Sequence, residues 1–263
     1  MSKNYPDMLK VALQAATKAT EIHRRYASAG FASSSKSSSH DKVTDADLAA
    51  EAAIVQTIRA SFPDHNLLAE EGKYESSDSP FQWIIDPLDG TLNFFRGIPV
   101  HSVSIALAYE GSLVVGVVAD SFRDETFAAV AGGGAFLNDR RIFASRTADY
   151  REAILISGFF PGKPEATHEN LRIMETFYDR GVMAVRRFGS AALDMCYVAC
   201  GRVDGFWESR LNPWDFAAAT LITREAGGVV TDRQGNPPRL ESGYIVASNG
   251  PFHPLMLDSL NAD

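Results

Sequence analysis

The run Asp86-Pro-Leu-Asp-Gly-Thr constrains this chain more than any other feature of its sequence. An apolar segment at 83–85 precedes it and predicts a short buried strand. The strand is expected to end by delivering Asp86 and Asp89 across a Pro-Leu-Asp-Gly turn. Because Pro87 fixes its own φ and Gly90 permits close backbone approach, both carboxylates can converge on one point beyond the strand.

Oxygen ligands at such a point suit a hard cation such as Mg²⁺, which binds carboxylates, carbonyls and water. The turn also frees the carbonyl of Leu88, which becomes a further candidate ligand. The alternative is an ordinary β-turn with aspartate at its favoured positions. The six residues alone leave both interpretations open.

Further acidic residues occur at comparable places. Glu70 and Glu71 follow a predicted strand at 66–68, and only one of two adjacent side chains can face a site beyond that strand. Surface charge is the alternative for this pair. Asp47 fits a capping box behind Thr44, and Asp215 occupies the same N3 position behind Asn212 and Pro213. Capping and metal ligation are compatible, because a helix N-terminus favours an ionised carboxylate.

Composition narrows the classes of function. The net charge of −8 argues against a dedicated nucleic-acid surface, so an anionic ligand would need a bound cation to attract it. Scattered histidines without a Cys/His cluster argue against zinc. Cys196 and Cys200 are four apart in a predicted helix, a spacing that suits a disulfide poorly. With no apolar run of membrane-spanning length and no signal segment, we expect a cytoplasmic protein without a membrane partner.

The pattern along the chain predicts an α/β architecture in two halves, 1–145 and 146–263. Antiparallel strands are expected over 101–137, where Gly132-Gly133-Gly134 reads as part of a hairpin, and strands and helices alternate after Asp149. A serine-rich loop is expected at 33–39. The predicted helices are 7–29, 45–61, 166–180, 190–200, 213–226 and a terminal helix.

Together these segments resemble the inositol monophosphatase family over most of the chain. The matching motifs appear in the family's order: Lys36 with Val43-Thr-Asp-Ala-Asp47, Ala69-Glu-Glu71, Asp86-Pro-Leu-Asp-Gly-Thr-Leu-Asn-Phe94, Gly189-Ser-Ala-Ala192, Trp214-Asp215 and Glu225-Ala-Gly-Gly228. The resemblance implies a layered αβαβα sandwich, the sugar phosphatase fold, commonly a homodimer with its site between the two halves. It also implies a Mg²⁺-dependent phosphomonoesterase that is inhibited by Li⁺ at the second metal.

By this resemblance, two Mg²⁺ ions occupy the site. Glu70, Asp86 and the Leu88 carbonyl would hold the first ion, and Asp86, Asp89 and Asp215 the second. Glu70 with waters would hold a weaker third. Backbone amides of Gly90 and Thr91 would cradle the phosphate, and Asp47 would orient the Thr91 hydroxyl toward the attacking water. Asp47, Glu70 and Thr91 thus form the expected catalytic group.

The expected substrate is inositol monophosphate or another small polyol or sugar phosphate. The resemblance places Glu208 against ring hydroxyls, and the expected substrate contacts are Asp89, Gly90, Thr91, Gly189, Ser190, Ala191, Glu208 and Asp215. A helix that begins near Ser190 without touching substrate is the alternative for 189–191. Arg210, if it faces the pocket, would favour a second phosphate. Fructose 1,6-bisphosphate, NADP⁺ and a 3′-phosphonucleotide then become candidates, and histidinol phosphate is a weaker one. A regulatory protein that binds protein or RNA through Arg186 and Arg187 is the non-enzymatic alternative.

Overall fold

The computed structural model describes residues 4–35, 42–159, 164–241 and 243–262. Its helices are α1 Tyr5–Ala29, α2 Asp45–Ser61, α3 Thr91–Phe95, α4 Pro164–Asp179, α5 Ala191–Ala199, α6 Pro213–Glu225 and α7 His253–Leu260. Lys36, which belongs to the family motif, lies outside the described residues. The long helices thus occur where the sequence predicted them, whereas the short α3 was not predicted.

The strands form two large sheets and one hairpin. The hairpin pairs β1 Ser33–Ser35 with β2 Lys42–Thr44, so part of the predicted serine-rich loop is a strand. The first large sheet has the order β3 Asn66–Ala69, β4 Phe81–Asp89, β5 Ser102–Tyr109, β6 Ser112–Asp120, β7 Glu125–Val130, β8 Gly134–Leu137 and β9 Arg140–Ile142. The second has the order β11 Ala184–Arg186, β10 Ile154–Ser157, β12 Gly205–Ser209, β14 Tyr244–Asn249 and β13 Gly228–Thr231.

These elements stack in five layers. One face of the seven-stranded sheet packs on α1 and α2, and its other face packs on α5 and α6. The five-stranded sheet covers the far side of α5 and α6, and its outer face carries α4 and α7. The strands are therefore buried on both faces, which explains their nearly continuous apolar sequences. This arrangement confirms the predicted αβαβα sandwich.

The central layer joins the two halves of the chain. Ile84 and Val118 of the first sheet belong to the same buried cluster as Leu193 of α5, Phe216 of α6 and Phe206 of the second sheet. All strands of the first sheet precede Phe143, and all strands of the second follow Ala153. The boundary near residue 145 stays a prediction, since both halves contribute to one core.

The strand that carries the aspartates differs from its prediction. The sequence predicted that it ends at Ile85, but β4 continues to Asp89 with a break in register between Asp86 and Asp89. Proline has no N–H to donate to a neighbouring strand, which accounts for a bulge at Pro87.

Two further expectations concern single features of the sequence. Cys196 and Cys200 are free thiols, as their helical spacing predicted. No helix within the described part of the chain is long and apolar enough to cross a bilayer.

Candidate active site

The bulge in β4 shapes the turn that follows it. Inside the bulge, Asp86 accepts a hydrogen bond from the backbone N–H of Leu88 at 2.9 Å. Gly90 then takes a left-handed conformation with φ of +89° and caps α3. A Cβ at this glycine would lie 3.0 Å from the carbonyl oxygen of Val100 and 3.2 Å from that of Gly189. Glycine is therefore required both for the turn and for contact with the second half of the chain.

Asp89 joins the two halves of the chain. Its Oδ2 atom accepts hydrogen bonds from the Ser190 hydroxyl at 2.5 Å and from the Ala192 N–H at 2.9 Å. Ser190 is the N-cap of α5 but makes no side-chain cap there, because its hydroxyl is donated to Asp89. The interface between the halves thus fixes the orientation of one predicted metal ligand.

Asp47 caps α2 and also reaches α3. It accepts the backbone N–H of Thr44 at 2.8 Å, which completes the predicted capping box. Its other oxygen lies 3.1 Å from the hydroxyl of Thr91, and that hydroxyl is also 2.9 Å from the carbonyl of Leu88. The cap and the predicted catalytic contact therefore coexist in one carboxylate.

Asp215 has the same double placement. Asn212 caps α6, Pro213 is its first residue, and Asp215 accepts the Asn212 N–H at 2.6 Å. That hydrogen bond uses Oδ2. The predicted helix cap is present. The charge of the same side chain also acts on Asp86, and the charge of Asp89 acts on Asp215.

Glu70 lies at the end of β3, where a buried residue of α2 holds the loop that follows. Glu51 accepts hydrogen bonds from the Glu71 N–H at 2.9 Å and from the Tyr74 hydroxyl at 2.8 Å. Gly72 leaves the room for this contact, because a Cβ there would lie 2.5 Å from Glu51 Oε1. Glu51 therefore fixes the backbone next to Glu70.

These carboxylates act on one another electrostatically. Burial, followed by the charges of Glu70, Asp89 and Asp215, raises the pKa of Asp86 well above its usual value. Burial raises the pKa of Asp89 to about 6, although hydrogen bonds from Ser190 and Ala192 oppose that shift. Burial, followed by Asp89, raises the pKa of Asp215. Such mutual repulsion among buried acids indicates a site that a cation would neutralise.

The donor set fits a hard divalent cation. The hydrogen bonds described above use one oxygen each of Asp86, Asp89 and Asp215, so the second oxygen of each remains a candidate ligand. Within the described ranges, no three acidic, histidine or cysteine side chains converge closely enough to form a ligand cluster. The carboxylates of Asp86, Asp89 and Asp215 are nevertheless close enough for their charges to act on one another.

Glu208 adjoins this group. It is partly buried, and burial with the charge of Asp89 raises its pKa to about 8, while Arg187 opposes the shift. The Arg187 guanidinium lies 5.8 Å from the ring centroid of Phe159. Arg210 instead lines a groove of about 900 Å³ beside α4 that includes none of the predicted metal ligands. The structure therefore shows the charge of Arg187 acting on Glu208, and it places Arg210 in a groove that contains none of the predicted metal ligands.

Comparison with known proteins identifies the family of the chain. The model of the inositol monophosphatase family matches residues 4–262. This chain belongs to the inositol monophosphatase family. The SuhB protein of Escherichia coli, a Nus factor, is 46% identical over 92% of this chain and 91% of its own length.

Two solved structures of family members show the same fold. The extragenic suppressor protein SuhB from Bartonella henselae has a TM-score of 0.92 at 38% identity, covering 97% of this chain and 98% of that one. The inositol monophosphatase from Anabaena has a TM-score of 0.86 at 37% identity, covering 98% and 96%. The family resemblance predicted from the sequence is thereby confirmed, and membership supports a phosphatase.

Sequence reasoning missed three residues that support the family site. Asn93 donates its amide to the carbonyls of Val100 at 2.8 Å and Phe188 at 2.7 Å, which ties α3 to the second half. Asp194 is buried, burial raises its pKa, and its Oδ1 has no hydrogen-bond partner within the described part of the chain. Glu51 is the third.

The sequence carried different signals for these residues. Asn93 lies within the 86–94 motif, which could have marked it. Glu51 and Asp194 are acidic residues on predicted apolar helix faces, a pattern that marks buried polar groups but gives no role.

Proposed function

We propose that the protein is a Mg²⁺-dependent phosphomonoesterase that hydrolyses inositol monophosphate or a similar small polyol or sugar phosphate. The observation that supports this most directly is the mutual electrostatic coupling of Glu70, Asp86, Asp89 and Asp215 at the junction of the two halves. Four neighbouring acids repel a phosphate ester unless cations lie between acid and ester.

The ligand assignment follows the chemistry of these oxygens. Glu70, Asp86 and the Leu88 carbonyl would hold one Mg²⁺, and Asp86, Asp89 and Asp215 a second, with a weaker third at Glu70. When bound, Mg²⁺ supplies a water of lowered pKa and neutralises charge on the phosphoryl group and on the leaving oxygen. No serine or cysteine nucleophile is required by this assignment.

Protein groups would orient the water and the phosphate. Thr91 Oγ1 would accept a hydrogen bond from the attacking water while it donates its own proton to Asp47, 3.1 Å away. Backbone amides of Gly90 and Thr91 would hold the phosphate in line with that water. A P–O bond would form to the water oxygen as the P–O bond to the leaving alkoxide breaks. The alkoxide would take a proton from a second water, and the hydroxide left there would take the proton that the attacking water loses.

Substrate choice would depend on groups beyond the phosphate. Glu208 would hydrogen-bond hydroxyls of a polyol, and 189–191 would present backbone groups to the same molecule. Alternative substrates are fructose 1,6-bisphosphate, NADP⁺, a 3′-phosphonucleotide and histidinol phosphate.

A panel assay tests the proposal. Phosphate release is measured with and without Mg²⁺ from inositol 1-phosphate, glycerol 2-phosphate, fructose 1,6-bisphosphate, NADP⁺, phosphoadenosine phosphate and histidinol phosphate. Mg²⁺-dependent release that is fastest with inositol 1-phosphate is the expected result. Release that needs no divalent cation, or no release from any ester, would contradict the proposal.

Two further properties are proposed from the family: inhibition by Li⁺ and assembly as a homodimer. Sedimentation equilibrium at micromolar concentration tests the second directly. A mass of twice 28.6 kDa is expected, and a single 28.6 kDa species would contradict it.

A second candidate role is that of a Nus factor, as the Escherichia coli relative is named. Exposed Arg186 and Arg187 offer a basic surface for such a role. Expression of the wild-type chain and of Asp86→Asn in an Escherichia coli strain that lacks SuhB separates the two roles. Complementation by both chains would show a role independent of catalysis, and complementation by neither would remove this candidate.

A further inference from the structure

Gly158 occupies a position where its backbone does not need glycine. It follows β10, whose last residue, Ser157, is paired with Trp207 of β12. Its φ lies outside the left-handed region, so an L-residue could adopt the same backbone conformation. The reason for a glycine must therefore lie in the space where a side chain would stand.

That space is filled by Glu208. A Cβ built on Gly158 would lie 1.9 Å from Glu208 Cδ and 2.0 and 2.1 Å from its two carboxylate oxygens. These separations are far shorter than any van der Waals contact between heavy atoms. The carboxylate of Glu208 thus rests directly on the backbone of Gly158.

Two charged residues act on the carboxylate of Glu208 at this position. The next residue, Phe159, stacks with the Arg187 guanidinium, and the charge of Arg187 acts on Glu208. The charge of Asp89 also acts on Glu208. Glu208 therefore lies within electrostatic range of both an exposed cation and a predicted metal ligand.

We propose that Gly158 is a positioning residue that sets substrate selectivity by seating the carboxylate of Glu208. This inference rests on the proposed phosphatase function. The missing side chain would let Glu208 point at hydroxyls of a polyol phosphate, whereas the phosphate itself is bound elsewhere. Gly158 would then influence the binding of hydroxyl-rich substrates and leave the chemical step unchanged.

The test variant is Gly158→Ala. The atoms that the new methyl group meets are the end of a flexible side chain, so the fold should persist while Glu208 is displaced. We expect the KM for inositol 1-phosphate to rise about tenfold, the scale of one lost hydrogen bond. The kcat, and the KM for glycerol 2-phosphate, should change less than about twofold. Gly250→Ala is the matched control, because a Cβ there meets nothing within 4 Å.

A double variant distinguishes an effect of Gly158→Ala that acts through Glu208 from a general disturbance of the structure. In Glu208→Ala the carboxylate is gone, so adding Gly158→Ala should produce no further rise in KM. Equal effects of Gly158→Ala with and without the carboxylate would overturn the proposal, and so would equal effects on both substrates.

A stability cycle distinguishes failure of this inference from failure of the proposed function. Gly158→Ala should lower the Tm by about 2–4 °C when Glu208 is present and by less than about 1 °C in Glu208→Ala. A wild-type protein that hydrolyses no phosphate ester would contradict the proposed function, and the cycle would still decide whether Gly158 seats Glu208. Identical losses of Tm in both backgrounds would refute the seat.

Discussion

The hydroxyl of Thr91 lies 3.1 Å from a carboxylate oxygen of Asp47, although the two residues are 44 positions apart in the chain. If they orient the attacking water as a unit, Thr91→Ala and Asp47→Asn should each lower kcat strongly, and the double variant should cost little more. Steady-state kinetics of the three proteins measure this.

Thr44→Ala is the control, because it weakens the cap of α2 and removes one hydrogen bond to Asp47 Oδ2, while the contact between Thr91 and Asp47 Oδ1 remains. Fully additive losses in kcat would make Asp47 a helix cap alone.

The variant Asp215→Asn distinguishes two roles of Asp215. A helix cap and a metal ligand predict opposite effects of this change on turnover. As a cap alone, the residue would contribute ~0.3–1 kcal/mol to stability and nothing to turnover. As a ligand, its loss should lower kcat by about two orders of magnitude while substrate still binds. The variant should also need more Mg²⁺ and resist Li⁺. Near-normal kcat with ordinary Li⁺ sensitivity would reject the ligand assignment.

Arg187 and Arg210 differ in the groups that they adjoin. Arg187 acts on Glu208, whereas Arg210 lines the separate groove beside α4. With fructose 1,6-bisphosphate as substrate, Arg187→Ala should raise the KM about tenfold, the scale of one lost charge-assisted contact. Arg210→Ala should leave it unchanged. A larger effect of Arg210→Ala would place Arg210, rather than Arg187, against the second phosphate.

Stability should fall in acid because buried histidines are held neutral. Burial lowers the pKa of His253 from 6.5 to about 4, and its ring nitrogens contact Ser248 and Thr231. The unfolded chain therefore binds a proton at higher pH than the folded one. The stabilisation is complete above pH 6.5 and decreases by roughly 3 kcal/mol as pH falls to 4.

Urea unfolding at several pH values measures this dependence. His253→Gln should flatten the slope between pH 6.5 and 4, whereas His168→Gln, on the exposed face of α4, should not. The same slope in the wild type and in His253→Gln would contradict the assignment.

The sequence predicted the layers and the helix caps because both depend on local patterns. Apolar periodicity located α1, α2 and α4–α7, and the caps at Thr44 and Asn212 follow from short motifs. The bulge at Pro87 was missed, because apolar pattern does not show where a strand continues through an irregular pair. The pairing of β4 with β5 determines where β4 ends.

Contacts between distant segments of the chain also could not be predicted from the sequence. The glycine at 158 gives no local reason for its presence, and only the parallel pairing of β10 with β12 brings it under Glu208. Ser190 reads as a helix cap, yet its hydroxyl is donated to Asp89 from the other half of the chain. Such roles depend on contacts between residues that are far apart in the chain, and local sequence patterns do not show those contacts.

Asp86 is the side chain that the ligand assignment shares between two cations. Asp86→Asn should leave the fold intact, because the amide oxygen can still accept the Leu88 N–H, but it removes the shared negative charge. Asp124→Asn is the matched control, since its side chain is exposed and its φ of +56° suits asparagine.

The decisive measurement is Mg²⁺-dependent release of phosphate from inositol 1-phosphate by the wild type, Asp86→Asn and Asp124→Asn. Two cations that share Asp86 predict release by the wild type and by Asp124→Asn, and none by Asp86→Asn even at saturating Mg²⁺. Substantial release by a folded Asp86→Asn protein would contradict the sharing of Asp86.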